Sequence, residues 1–149
     1  MGIYYWLGKG VARDDKEAFA WFSKAAKQNS VLGQYGVGNS YLRGRGVRRD
    51  VQKAVEWFHR AAEQGYGKGQ STLADCYTSG TGTEADFVEA YKWATLAANQ
   101  GNQHATELLA WLKEDDRLTR AQVDEAERRV AEFNERHQAQ FKPILPEVE

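Results

Sequence analysis

The stretch Asp50–Gly65, DVQKAVEWFHRAAEQG, decides how this chain is read. Its pattern occurs three times: Trp21, Trp57 and Trp93 are 36 residues apart (57 − 21 = 93 − 57). The same step aligns Asp14, Asp50 and Asp86, then Ala18, Ala54 and Ala90. It also superposes Ala25-Ala26, Ala61-Ala62 and Ala97-Ala98. Upstream, Tyr5, Tyr41 and Tyr77 fall in register, as do Gly8, Gly44 and Gly80, then Gly10, Gly46 and Gly82. A period of this size marks a solenoid, in which each unit buries its apolar face by stacking on its neighbours.

The most complete unit reads Gly33-x3-Val37-Gly38-x2-Tyr41-x2-Gly44-x-Gly46-Val47-x2-Asp50-x3-Ala54-x2-Trp57-x3-Ala61-Ala62-x2-Gly65. This pattern resembles the Sel-like repeat family, relatives of tetratricopeptide repeats, over residues 1 to about 113. The resemblance implies an all-α, right-handed superhelical solenoid of antiparallel helix pairs, closed by a C-terminal capping helix. It also implies a bacterial interaction scaffold without fixed catalytic residues. The expected organisation is one repeat domain over residues 1–137, followed by an extended or disordered tail, 138–149. Within the domain, 1–30 is a partial repeat, 31–66 and 67–102 are full repeats, and 103–137 holds the capping helices.

Composition agrees with a helical globular domain: 149 residues, 42% hydrophobic, 28% charged and two prolines. One cysteine, Cys76, rules out an internal disulfide. No apolar run approaches the ~20 residues of a membrane-spanning helix. Residues 1–10 lack the basic-then-apolar order of a secretion signal. A cytoplasmic location follows if Met1 is the native start, and a secreted or periplasmic one if an upstream signal was removed. Charge is uneven: residues 1–66 carry eleven Lys/Arg against six Asp/Glu, and 67–149 nine against fifteen. Such asymmetry can steer a partner, and salt would weaken it.

Taken in order, the partial first unit places Ile3, Tyr4, Tyr5 and Trp6 at an uncovered edge, so self-association there is expected. Asp14, with Glu17 three residues on, forms a helix-starting signature. Ala18, Trp21, Phe22, Ala25 and Ala26 lie on one helical stripe. Asn29 stands where the later units have Gly65 and Gly101; Asn is the residue after Gly that best tolerates a left-handed helix end. Gly38 predicts a close helix contact. Ala94, replacing the aromatic of Phe22 and Phe58, predicts looser packing in the third unit. A helix from Thr119, with Gln122 completing a capping box, carries a narrow stripe of Val123, Ala126, Val130 and Phe133 under a charged exterior. Asp124–Arg128, Glu125–Arg129 and Glu132–Arg136 are its expected ion pairs. Phe141, Ile144, Leu145 and Val148 are many apolar groups for a free tail, and docking of that tail into a groove is one expectation.

The expected binding surface is the concave side, lined by the first helix of each unit. Its candidate residues are Tyr35, Asn39 and Leu42, with counterparts Ser71, Asp75 and Thr78, then Glu107 and Trp111. Each is set on the side of its helix away from the packing columns. A basic cluster at Arg43, Arg45, Arg48 and Arg49 is a candidate contact for phosphate or an acidic partner, set against a plainly solvated loop. His59, His104 and His137 lack metal-ligand spacing, and Cys76 has no identifiable base, so neither a metal site nor a catalytic residue is assigned. The reading is therefore a non-enzymatic scaffold for a protein or peptide, without cofactor, nucleic-acid binding or membrane insertion. Two alternatives stand beside it. One is a binder or hydrolase of cell-wall-like or β-lactam compounds, although this chain lacks the cysteines of such relatives. The other is a self-associating structural module using the N-terminal edge.

Overall fold

The computed structural model describes residues 14–114 and 116–140. The expected first helix with its exposed edge, and the tail beyond 140, lie outside the described residues. Among the described residues all regular structure is helical: α1 Asp15–Lys27, α2 Val31–Arg43, α3 Val51–Glu63, α4 Gly67–Ser79, α5 Phe87–Ala98, α6 Gln103–Lys113 and α7 Arg120–Gln140. Helices α2 and α3 form one hairpin and α4 and α5 the next, each second helix packing on the first helix of the following unit. The protein is an all-α helical repeat solenoid. One wall carries the first helices α2, α4 and α6, and the opposite wall carries α1, α3 and α5.

The repeated residues make repeated contacts. Asp14, Asp50 and Asp86 are N-caps of α1, α3 and α5, each carboxylate accepting from backbone N–H groups of the first turn. Each hairpin is also tied across its loop, Asp50 N–H donating to Tyr41 O at 3.0 Å and Asp86 N–H to Tyr77 O at 2.9 Å. Asn29, Gly65 and Gly101 share positive φ values of 61°, 84° and 83°, so the helix end imposes one backbone geometry on all three. At Gly38 a methyl group would sit 2.6 Å from the Phe58 ring, which is the close approach the sequence predicts.

Glutamines stitch unit to unit. Gln64 Nε2 donates to Gln34 Oε1 at 2.9 Å and to Asn29 O at 3.2 Å. Thirty-six residues on, Gln100 Nε2 donates to Gln70 Oε1 and to Gly65 O, both at 2.9 Å. Gln34 and Gln70 are buried, and these bonds offset the cost of taking amides out of water.

The three indoles share a backbone position but not an environment. Trp93 is 0% exposed, whereas Trp21 and Trp57 are half-buried. The difference is α7. Its capping box forms, Gln122 N–H donating to Thr119 Oγ1 and Thr119 N–H to Gln122 Oε1. Val123 and Ala126 then join Leu112 of α6 in a small cluster, and the rest of the helix lies along α5. Phe133 meets the Trp93 ring edge-on at 5.7 Å. The cap thus covers the second-helix wall. The helix can lie there because α5 departs from the repeat: Val88 and Leu96 stand where α3 has Gln52 and Arg60. The third unit is consequently not loosely packed, as Ala94 predicted. Ala90, Trp93, Ala94 and Ala97 are all fully buried, and Ala74 stands on α4 where α2 has Gly38, the glycine that meets the Phe58 ring.

The ion pairs of α7 also differ from the simple ladder. Glu125 binds Arg129 at 2.7 Å and Arg128 at 2.8 Å, and Arg128 turns to Glu132. Arg129 reaches across to Glu89 of α5, and Arg136 lies 4.0 Å from Glu63 of α3. Two of the charges assigned to the outer surface are therefore clasps to the solenoid.

Candidate functional site

The first-helix wall holds a groove of ≈ 330 Å³ running along α2, lined by Phe22, Leu32, Tyr35, Gly36, Asn39, Arg43, Tyr66 and Lys68. Its floor is aromatic. Tyr35 lies between the Phe58 ring at 5.5 Å and the Tyr66 ring at 5.2 Å, and its hydroxyl meets Thr72 Oγ1 at 3.4 Å. Burial, and then the neighbouring Tyr35, push the Tyr66 phenol above its ordinary pKa, so it stays a neutral donor. Leu32 is 53% exposed, a large apolar group left at the groove's edge. Arg43 and Lys68 stand exposed at its ends. A pocket with an apolar floor and a few polar groups at its rim binds by shape and fixes orientation by charge.

The predicted residues separate on this surface. Tyr35 and Asn39 line the groove. Asp75 lies further along the wall, where its carboxylate takes His104 Nε2 at 2.9 Å. Glu107 and Trp111 are exposed on α6. Trp111 is not covered by α7; the Arg117 guanidinium lies over it at 4.1 Å and Phe87 meets it edge-on at 5.9 Å. Ser71 corrects the expectation of an outward side chain. It is 6% exposed, with its hydroxyl turned to the Asn102 side chain at 3.4 Å. Its column points at the neighbouring unit rather than at solvent, and a small residue there is covered. Leu42 packs against the core cluster, and Thr78 donates to Ala74 O at 2.8 Å, so both are half-buried.

The arginines do not form one patch. Arg43 faces the groove, while Arg48 lies beside Asp14–Lys16 and Arg49 near Glu84. Arg49 Nε donates to Leu42 O at 3.1 Å, and Arg45 N–H to Ser40 O at 3.0 Å. Residues the sequence reading missed are Leu32, Lys68 and His104, which form one column 36 apart, and Tyr66. The signal was available: Leu32 is two helical turns before Asn39 and shares its face.

The remaining chemistry is sparse. Cys76 is buried, and desolvation, followed by the charge of Asp75, raises its thiol to about 11, the reverse of an activated nucleophile. His59 of α3 stands edge-on to Trp93 of α5 at 5.3 Å, and His137 stacks on Phe133 within α7 at 5.2 Å, so both are packed against aromatic rings. Among the described residues there is no cluster of His, Cys, Asp and Glu able to hold a metal ion. No helix among them is long and apolar enough to cross a membrane.

The Sel1 repeat model matches residues 1–30, 31–66 and 68–102. A Sel1 repeat protein from Oxalobacter formigenes superposes with a TM-score of 0.72 at 35% identity, over 74% of this chain and 45% of that one. A protective antigen present in uropathogenic Escherichia coli strains, displaying an SLR fold, superposes with a TM-score of 0.81 at 30% identity, over 99% of this chain and 32% of that one. The chain thus spans less than half the length of either structure. No curated protein matches it.

Proposed function

The chain belongs to the Sel1 repeat family, and from that premise we propose that it is a non-enzymatic scaffold holding a protein or peptide along the first-helix wall. One observation carries this reading: the aromatic groove on α2, with Leu32 exposed at its edge and cations at its ends. Buried aromatic anchors within a polar rim are the energetic pattern of a protein interface. Several units presenting the same wall also suit an extended partner. The insulated thiol of Cys76 argues in the same direction, since the chain's one strong nucleophile by type is shielded and protonated.

A displayed random-peptide library, selected on the purified chain, tests the proposal. Selected peptides should bind the wild type, and Leu32→Asp and Arg43→Glu should each weaken binding at least tenfold while leaving the far-ultraviolet circular dichroism spectrum of the folded chain unchanged. Peptides that bind unaffected by both substitutions, or a selection that enriches nothing, would refute it.

A further inference from the structure

We infer that the groove on α2 is filled in cis by residues 141–149 of this chain, FKPILPEVE, which an outside partner must displace. The inference rests on the reading of the groove as the binding surface and adds its occupant.

The first argument is where α7 ends. The His137 ring lies against Gly65, its Nε2 2.7 Å from where a methyl group on that glycine would be. Arg136 is 4.0 Å from Glu63. The last turns of α7 therefore rest on the bend between α3 and α4. The next residues of that bend, Tyr66 and Lys68, are the near end of the groove. The helix delivers the following segment at the groove's mouth.

The second argument is length. The groove follows α2 from Leu32 to Arg43, about 16 Å at the ~1.5 Å helical rise. Nine extended residues reach up to ~30 Å. Pro143 and Pro146 bar continuation of α7 and lower the entropy lost when the segment is held extended.

The third argument is chemistry. Ile144, Leu145 and Val148 suit a floor made by Phe22, Leu32, Tyr35 and Tyr66. If Leu145 sits near Leu32, then Glu149, four residues on and ~13 Å away when extended, comes to Arg43. The Arg43 side chain has no hydrogen-bond or ion-pair partner among the described residues.

The test uses the full chain and a full-length tail variant, Ile144→Asp with Leu145→Asp, both titrated with a fluorescent synthetic peptide of residues 141–149. A tethered tail has an effective concentration on the order of millimolar. A peptide that binds the tail variant at ~100 µM should therefore bind the wild type about tenfold more weakly. Leu32→Asp or Arg43→Glu, added to the tail variant, should remove binding. No binding to the tail variant, equal binding to both chains, or binding indifferent to the groove substitutions would overturn the inference. So would a wild-type dimer in sedimentation that the tail variant loses, because the tail would then dock in a second copy. If library peptides bind the tail variant through Leu32 and Arg43 while the 141–149 peptide does not, the occupant is wrong and the groove reading stands. If neither binds, both fall.

Discussion

Replacing each of two repeat-equivalent tryptophans by alanine should give unequal losses of stability, and the inequality follows from the position of α7. Trp93 is 0% exposed, faces Phe133 and His59, and donates its Nε1–H to Glu89 Oε2 at 3.0 Å. Complete burial of a large aromatic makes Trp93→Ala a cavity-forming change of about 4–5 kcal/mol. Trp57 is half-buried, with the Arg60 guanidinium 4.3 Å from its ring centre. An aromatic side chain covers ~150–250 Å² when buried. Half of that at ~25 cal/mol/Å² gives about 2 kcal/mol, with no cavity term because water enters. The gap between the variants is therefore about 2–3 kcal/mol. In a chain of this size each kcal/mol moves the melting temperature by roughly 2–4 °C. Urea unfolding followed by far-ultraviolet circular dichroism measures the gap directly. Trp93→Ala should also speed hydrogen exchange in α7, which packs on the removed ring, and Trp57→Ala should not. Equal losses from the two substitutions, or unchanged exchange in α7 after Trp93→Ala, would refute the claim that α7 makes the third unit different.

Three further outcomes are expected. A methyl group at Gly82 would meet Val51 O at 2.2 Å with φ at +73°, whereas nothing lies within 4 Å at Gly101, φ +83°; Gly101→Ala should cost about 1–2 kcal/mol of left-handed strain and Gly82→Ala clearly more, by urea titration. Hydrogen bonds from Arg128, then Arg129, lower the Glu125 pKa from 4.5 to about 2. A folded pKa below the unfolded one gives stabilisation that is full above about 4.5 and is lost as pH falls through about 2, so the melting-temperature gap between wild type and Glu125→Gln should close over that window; a constant gap would contradict the assignment. Cys76, buried and raised to about 11, should react with a thiol reagent at pH 8 only after unfolding; rapid labelling of the native protein would show an open thiol.

What was legible in the sequence was whatever a residue settles with its own neighbours or with its repeat counterpart. The Asp14, Asp50 and Asp86 caps, the left-handed Asn29 and the close contact at Gly38 are all of this kind. Three features were harder. The groove's aromatic floor combines Tyr35 with Tyr66, a residue outside any helix stripe, and side-chain columns on one helix do not reveal what the next helix brings beside them. Ser71 failed for a related reason: it shares Tyr35's column, but a short side chain there turns under the adjoining unit and is covered. The glutamine stitches were visible as the column Gln28, Gln64 and Gln100, yet an amide column looks like surface until its partner column, Gln34 and Gln70, is seen to face it.

The position of α7 shows why a repeat pattern alone understates how the third unit is covered. In sequence register, Ala126 stands 36 residues after Ala90, and Arg129 falls 36 after Trp93. Read as another second helix, α7 would put a guanidinium where each preceding unit has an indole, in a slot that is 0% exposed at Trp93 of the third unit. Burying that charge without a carboxylate would cost several kcal/mol. Lying along α5 instead, Arg129 keeps about a third of its side chain in water and pairs with Glu89 and Glu125, while Phe133 covers Trp93. The exchange of Gln52 and Arg60 for Val88 and Leu96 makes α5 the second helix apolar enough to receive it. A departure from the repeat at Arg129 is thus matched by departures on the surface it lands on. The groove on α2 is left uncovered because α7 lies on the opposite wall.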